Sequence, residues 1–297
     1  MTIRIAECYI YPLKSAQGIN VDTLDITNKG PAHDRSWMLI QDQGDQAGRF
    51  ISQRDKGCEK LALIRAIPKD NETTDFILPS DLSITIHNSD LTPHNAPVTV
   101  WKDACDALDA GDKAAELFSN YLEIPCRLVK MSDSFIRQAD LKFSQQGDMV
   151  SFADGFPLLI TNHASLEKLS EHFPENTNVS MQNFRPNIVL KGIPAFEEDV
   201  IYQIQIGDVI LELTKPCTRC KITTIDQSNG ISASNEPLQT LAKTRRGKGD
   251  GLQGVFFGQN ALPRALGTIK VDDEVKILSK KELHPALQNA LLKPNVT

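Results

Sequence analysis

The feature that most restricts how this chain can fold is the recurrence of short runs suited to strands, separated by turn residues. In the first hundred residues such runs fall at 3–11, 36–41, 61–66, 75–78, 82–86 and 98–101. Asn28-Lys29-Gly30-Pro31, Gln43-Gly44-Asp45 and Asn88-Ser89-Asp90 punctuate them with turn chemistry. This rhythm predicts a barrel or sandwich. It changes over residues 112–124, where Ala114, Ala115, Leu117, Phe118, Tyr121 and Leu122 recur at helical spacing. Asp109 or Asp112 can cap that helix and Pro125 stops it, so it can bridge two halves.

Strand patterns return at 126–130, 157–160, 187–190, 203–206, 208–213, 221–226, 255–257, 268–271 and 275–278. Short helices are expected after Thr161-Asn162 and after Glu236-Pro237, the second ending in Lys243, Arg245 and Arg246, which suit the negative end of a helix. The stretch from Gly247 to Gly254 carries four glycines in eight residues and reads as a mobile loop. It lacks the Gly-Lys-Ser/Thr ending of a nucleotide-binding loop. Residues 279–297 read as a short helical tail, with Ser279-Lys280-Lys281-Glu282 in a capping-box pattern. The expected class is mainly β with a few helices, α+β.

With 297 residues the chain has room for two domains. Its 40% hydrophobic and 24% charged content is that of a soluble globular protein, and no apolar run approaches the ~20 residues of a membrane helix. The first nine residues alternate as a strand would and lack the apolar core of a signal peptide, so a cytoplasmic protein without membrane attachment is expected. Six cysteines with a single close pair are not a disulfide framework, and Cys8, Cys58, Cys105 and Cys126 are expected to be reduced and packed. A net charge of −6 argues against a nucleic-acid surface. Cations that do cluster would then serve a specific small anion.

The chemistry concentrates in residues 213–226, from Leu213 through Pro216, Cys217, Thr218, Arg219 and Cys220 to Thr223, Thr224 and Asp226. Pro216 suggests a turn and the β-branched series after Cys220 suggests a strand. The two thiols and Arg219 would then project where a turn enters a strand. Such sulfur ligands suit a soft metal. Structural zinc would need a second ligand pair, and the six histidines form no His-x(3–5)-His pair. A redox pair would sit at a helix N-terminus. Packed core thiols are the plain alternative. Three further groups look like anion contacts at strand–loop junctions: Lys14 and Ser15 after Tyr11-Pro12-Leu13, Arg35 in Asp34-Arg35-Ser36-Trp37, and Arg185 in Phe184-Arg185-Pro186-Asn187. Surface ion pairs are the alternative for each. Thr161 and Asn162 add a helix N-terminus, which is either an anion site or an ordinary cap.

Taken in order, these segments together with Glu236-Pro237-Leu238, Phe257-Gly258-Gln259-Asn260 and Gly267-Thr268-Ile269-Lys270-Val271 resemble the MOSC superfamily. The arrangement is most similar to bacterial N-hydroxylated-base reductases and the mitochondrial amidoxime-reducing component. The resemblance spans about residues 3–278. It implies an N-terminal MOSC-associated β-barrel domain over 1–125, a MOSC β-barrel domain over 126–279, a tail over 280–297, and a molybdenum cofactor in the cleft between the domains. The matching metal ligand and catalytic residue is Cys220, with Cys217 its neighbour. Lys14, Ser15, Arg35, Arg185 and Arg219 would hold the cofactor's phosphate and pterin, and Thr161, Asn162, Asn187 and Thr218 would add hydrogen bonds.

The implied activity is reduction of N-hydroxylated compounds such as hydroxylaminopurines, amidoximes and hydroxylamines. The alternatives are a sulfur carrier using a Cys220 persulfide, or a molybdopterin-binding or transfer module. No cysteine follows Cys220, so the iron–sulfur domain some relatives carry is not expected here, and electrons would come from a separate protein of ferredoxin or flavin reductase type. Asn260 departs from the aromatic of the mitochondrial relatives. Asp226 and His163 are candidate proton donors by position alone.

Overall fold

The computed structural model describes residues 2–94 and 96–294. Its largest sheet has nine strands, in the order Ile19–Val21, Arg4–Ile10, Ile188–Lys191, Leu158–Asn162, Leu252–Ala265, Val209–Thr218, Ile201–Ile206 and Val275–Lys280, with Arg246–Gly249 branching from Leu252–Ala265. Neighbours run antiparallel except Leu158–Asn162 beside Ile188–Lys191, a parallel pair. Parallel neighbours need a crossover, and helix α1 (His163–Ser170) lies in the connection between them. One face of the sheet buries Ile5, Ile188, Leu190, Ile204, Ile206, Leu211 and Leu213 as a common core.

The first half has its own core. Trp37, Phe76 and Phe118 meet edge to face, with ring centres 5.2 and 5.8 Å apart. A helix over Asp112–Leu122 buries Ala114, Phe118 and Leu122 against them, one side chain per turn, as its sequence spacing predicts. Around this core lie a sheet ordered Trp37–Gln41, Cys126–Met131, Ala107–Asp109, Thr92–Pro93 and a three-stranded meander of Arg65–Pro68, Thr73–Ile77 and Ser83–His87. The protein is therefore mainly β with few helices, as expected.

Strand pairing crosses between the halves. Arg4–Ile10 pairs with Ile188–Lys191, placing Cys8 opposite Ile188, and Thr23–Thr27 pairs with Gly267–Lys270. In return, Cys126–Met131 pairs with Trp37–Gln41 in the first-half sheet.

Several local expectations are corrected. Pro216 does not turn the chain: Val209–Thr218 continues through it as one strand, with a register irregularity on either side. The expected strand over 221–226 is a 3₁₀ turn, Lys221–Thr224, because the Thr223 and Thr224 hydroxyls bond back to the Cys220 and Lys221 carbonyls at 2.9 Å. The expected strand at 61–66 begins as a 3₁₀ turn, Glu59–Leu63, and becomes a strand only at Arg65–Pro68. The glycine-rich stretch is a hairpin instead of a mobile loop, turning at Asp250 and Gly251, both with positive φ (43° and 76°). A β-carbon on Gly247 would stand 1.6 Å from the Ala286 carbonyl oxygen, so glycine is needed there for close packing of the tail. The expected helical tail is strand Val275–Lys280 followed by a 3₁₀ turn at Pro285–Leu287, and residues 295–297 lie outside the described residues. Arg245, read as a cation at the end of helix Leu238–Thr244, is instead fully buried.

Candidate functional site

A cleft of about 310 Å³ opens where the two halves meet, and both contribute to its lining. Lys14 and Ser15 follow the first strand, Arg35 precedes Trp37–Gln41, and Arg185 and Asn187 precede Ile188–Lys191. Cys217, Thr218, Arg219 and Cys220 enter from the end of Val209–Thr218. That segment is pinned on both sides. The Arg219 N–H donates to the Val255 carbonyl at 2.8 Å, and the Cys220 carbonyl accepts from the Thr223 N–H at 3.0 Å. The Cys217 and Cys220 side chains are both half-buried and free.

The rim is built around Tyr11. The Arg35 and Arg185 guanidiniums each lie 4.2 Å from its ring centre, and its hydroxyl donates to the Pro186 carbonyl at 3.0 Å. Beneath them, buried Asp34 accepts from the Tyr11 N–H at 2.8 Å, from Arg35 at 2.6 Å and from the Asn187 amide at 3.1 Å. The Asn187 oxygen in turn accepts from the Leu159 N–H and from Arg35, so every polar atom of that side chain is committed to positioning. Burial raises the Asp34 carboxyl, with Arg35 pulling the other way. Arg185 donates to the Ala16 carbonyl at 2.6 Å, and burial lowers its guanidinium to about 10.

Ser15, Arg35 and Arg185 all have positive φ (64°, 47° and 53°). Each such non-glycine residue costs on the order of 1 kcal/mol, and three at one cleft is the clustering found at ligand clamps.

Charge at the cleft is one-sided. Six cations line it, Lys14, Arg35, Arg54, Arg185, Lys215 and Arg219, against one lining carboxylate, Asp154. Lys14 donates to Asp154 at 2.6 Å and to the Phe152 carbonyl at 2.8 Å, and burial lowers its ammonium pKa. The atoms packed around Asp154 push its carboxyl up, but Lys14, Arg54 and the Trp101 indole N–H at 3.2 Å outweigh them and hold it well below the usual range. Among the described residues Arg54, Arg185, Lys215 and Arg219 have no carboxylate partner. The Arg219 guanidinium donates to the Phe184 carbonyl at 2.5 Å and to Cys217 Sγ at 2.9 Å, while its Nε is buried without a partner.

Of the residues singled out in the sequence, Lys14, Ser15, Arg35, Arg185, Asn187, Thr218, Arg219 and Cys220 meet at this cleft, with Cys217 and Asn260 beside them. Thr161 and Asn162 do not line it. Both are fully buried: the Asn162 oxygen caps the helix at the Ala164 N–H, and its amide donates to the Pro194 carbonyl and Glu198. His163 pairs with Glu7 at 2.8 Å, and Asp226 binds its own turn through Ser228 and Asn229, so neither faces the cleft. Arg54, Asp154, Phe156 and Lys215 were missed. Ala153-Asp154-Gly155-Phe156-Pro157 has the composition of a turn, which was the available signal.

Among the described residues no helix is long and apolar enough to cross a membrane. Residues 2–125 match the MOSC N-terminal beta barrel domain family and residues 147–276 the MOSC domain family. Mitochondrial amidoxime-reducing component 1 of Mus musculus is 32% identical over 297 residues, spanning 93% of this chain and 82% of the mouse protein. The Homo sapiens protein of the same name is 29% identical over 300 residues, spanning 93% of this chain and 83% of its own length. The molybdenum cofactor sulfurase of Drosophila mojavensis is 30% identical over 256 residues, which is 82% of this chain but 31% of that protein. With both domain families matched in order and this identity along most of its length, the chain belongs to the MOSC-domain family that includes the mitochondrial amidoxime-reducing components.

Proposed function

We propose that this chain is a molybdenum-cofactor-dependent oxidoreductase that reduces N-hydroxylated compounds, with Cys220 as the protein ligand of the metal. The observation that carries this reading is the meeting, in one cleft, of a half-buried free thiol and a surplus of cations that have no carboxylate of their own. The group fits the residues present. A molybdopterin phosphate brings about two negative charges and several acceptor oxygens, which suit guanidinium forks and an ammonium. The cleft volume suits a small cofactor.

Lys14, Ser15, Arg35 and Arg185 would take the phosphate end, with Asn187 and Asp34 fixing the Arg35 fork. Thr218 and Arg219 would meet the pterin, and the partnerless Arg219 Nε offers a donor for it. Thr161 and Asn162 are left out of this set because neither lines the cleft: the Asn162 amide is spent inside the fold, and the Thr161 hydroxyl is buried away from the lining without a partner. When bound, the cofactor would supply two-electron chemistry and an oxygen-accepting metal centre. The chain's own part is to fix the Cys220 thiol through its capped backbone, exclude bulk water with Phe156 and Leu159, and orient the substrate against Asn260. Electrons would come from a separate donor protein, and the site of action would be the cytoplasm, where the free cysteines stay reduced.

Freshly purified protein should carry near-stoichiometric molybdenum and reduce a hydroxylaminopurine or an amidoxime with an artificial donor. Cys220→Ala should lose the metal while Cys217→Ala keeps it; the reverse pattern moves the ligand to Cys217. The sulfurase similarity keeps one rival in view. Metal-free protein with a cyanide-labile sulfur on Cys220 would make the chain a sulfur carrier.

A further inference from the structure

Lys215 sits in Val209–Thr218 directly opposite Asn260 of Leu252–Ala265, and Asn260 faces Leu159 on the next strand. All three line the cleft. The Lys215 ammonium lies 5.0 Å from the ring centres of both Phe143 and Phe156. Among the described residues it makes no hydrogen bond or ion pair.

The other charged lining groups have little proton to give. Lys14 is locked to Asp154 and the Phe152 carbonyl. Arginines do not deprotonate in proteins. Asp154 is held ionised by Lys14 and Arg54. Cys220 is assigned to the metal.

We propose that Lys215 is the general acid of the N–O cleavage put forward above, giving its ammonium proton to the substrate nitrogen as its bond to oxygen breaks. The inference rests on that reading. For a hydroxylamine the balance is one N–OH compound plus two electrons and two protons, giving one amine and one water. The N–O bond breaks, one proton comes from Lys215, and the second comes from solvent. The electrons come from the donor protein, and water at the cleft mouth reprotonates the Lys215 amine. The surroundings favour release, because burial lowers the ammonium's hold on its proton while Cys217 on the same strand and Asp140 raise it. His284 from the tail, Lys142, Asp250 and Lys281 are further titratable groups around this corner.

The test uses molybdenum-loaded protein, reduced viologen as donor and a hydroxylaminopurine as substrate. Lys215→Met and Lys215→Arg should each lower kcat by about 100-fold with KM within about threefold and metal content unchanged, and both should lose the alkaline fall of the wild-type kcat profile. Independently of turnover, ¹³C-dimethylated protein should show one lysine resonance, missing in Lys215→Arg, that titrates below the ordinary lysine range. Full rescue by Lys215→Arg would mean that only charge matters and would overturn the assignment, as would a resonance with ordinary titration. A fully loaded wild type that leaves the N–OH compound untouched instead removes the function reading and the inference with it.

Discussion

Two groups of charges in this molecule are treated in opposite ways. Behind the large sheet, Arg245 and Asp199 are fully buried and paired at 2.8 Å, with Gln259 donating to the other Asp199 oxygen at 2.7 Å. Arg245 also donates to the Leu292 carbonyl at 2.7 Å. In the cleft, Arg185 and Arg219 are held by carbonyls, and among the described residues no carboxylate pairs with them. Desolvated charge is costly unless it is paired. The difference teaches that the first group carries its own counter-charge, while the second is arranged to receive an anion.

The largest expected effect tests the self-contained group. Arg245→Met leaves Asp199 and Glu198 buried without their cation and should cost about 3–5 kcal/mol in denaturant unfolding. Arg185→Met should behave oppositely. It removes one of two neighbouring guanidiniums packed on Tyr11, so stability should change by less than about 1 kcal/mol, while cofactor occupancy falls tenfold or more, as expected for losing a charge-assisted bond. Equal destabilisation by the two variants would erase the contrast.

A third prediction uses pH. Burial and the Asp199 charge push the Glu198 carboxyl up to about 7. An acid whose folded pKa is raised adds stability that is complete below its unfolded pKa and fades as pH rises through the folded one. Stability should therefore fall between about pH 4.5 and 7, and Glu198→Gln should flatten that slope. The smallest effect concerns the cleft alone. Inorganic phosphate at about ten times its dissociation constant should stabilise cofactor-free protein by about 1.4 kcal/mol, seen as a raised Tm against chloride of equal ionic strength. Arg35→Ala should abolish the shift.

What was legible in the sequence follows from how local each cause is. The helix over Asp112–Leu122 was plain because its buried positions recur within a few turns. Lys14, Arg35, Arg185 and Arg219 stood out because strand–loop junctions can be read from a few neighbouring residues. Lys215 and Asp154 did not, since their surroundings come from segments far away in the chain, Phe143 beside one and Trp101 beside the other. Thr223 and Thr224 misled because β-branching favours strands, yet their hydroxyls found nearer carbonyls. The glycines at 247 and 249 misled because flexibility and tight packing call for the same residue, and only the tail at Pro285 and Ala286 tells them apart.

The first strand, Arg4–Ile10, lies against Ile188–Lys191, a partner made far later during synthesis. A ribosome must therefore release most of the polypeptide before Lys14 and Ser15 come into position. A cofactor held as proposed would be captured only after synthesis has passed Asn260, the last lining residue of the cleft.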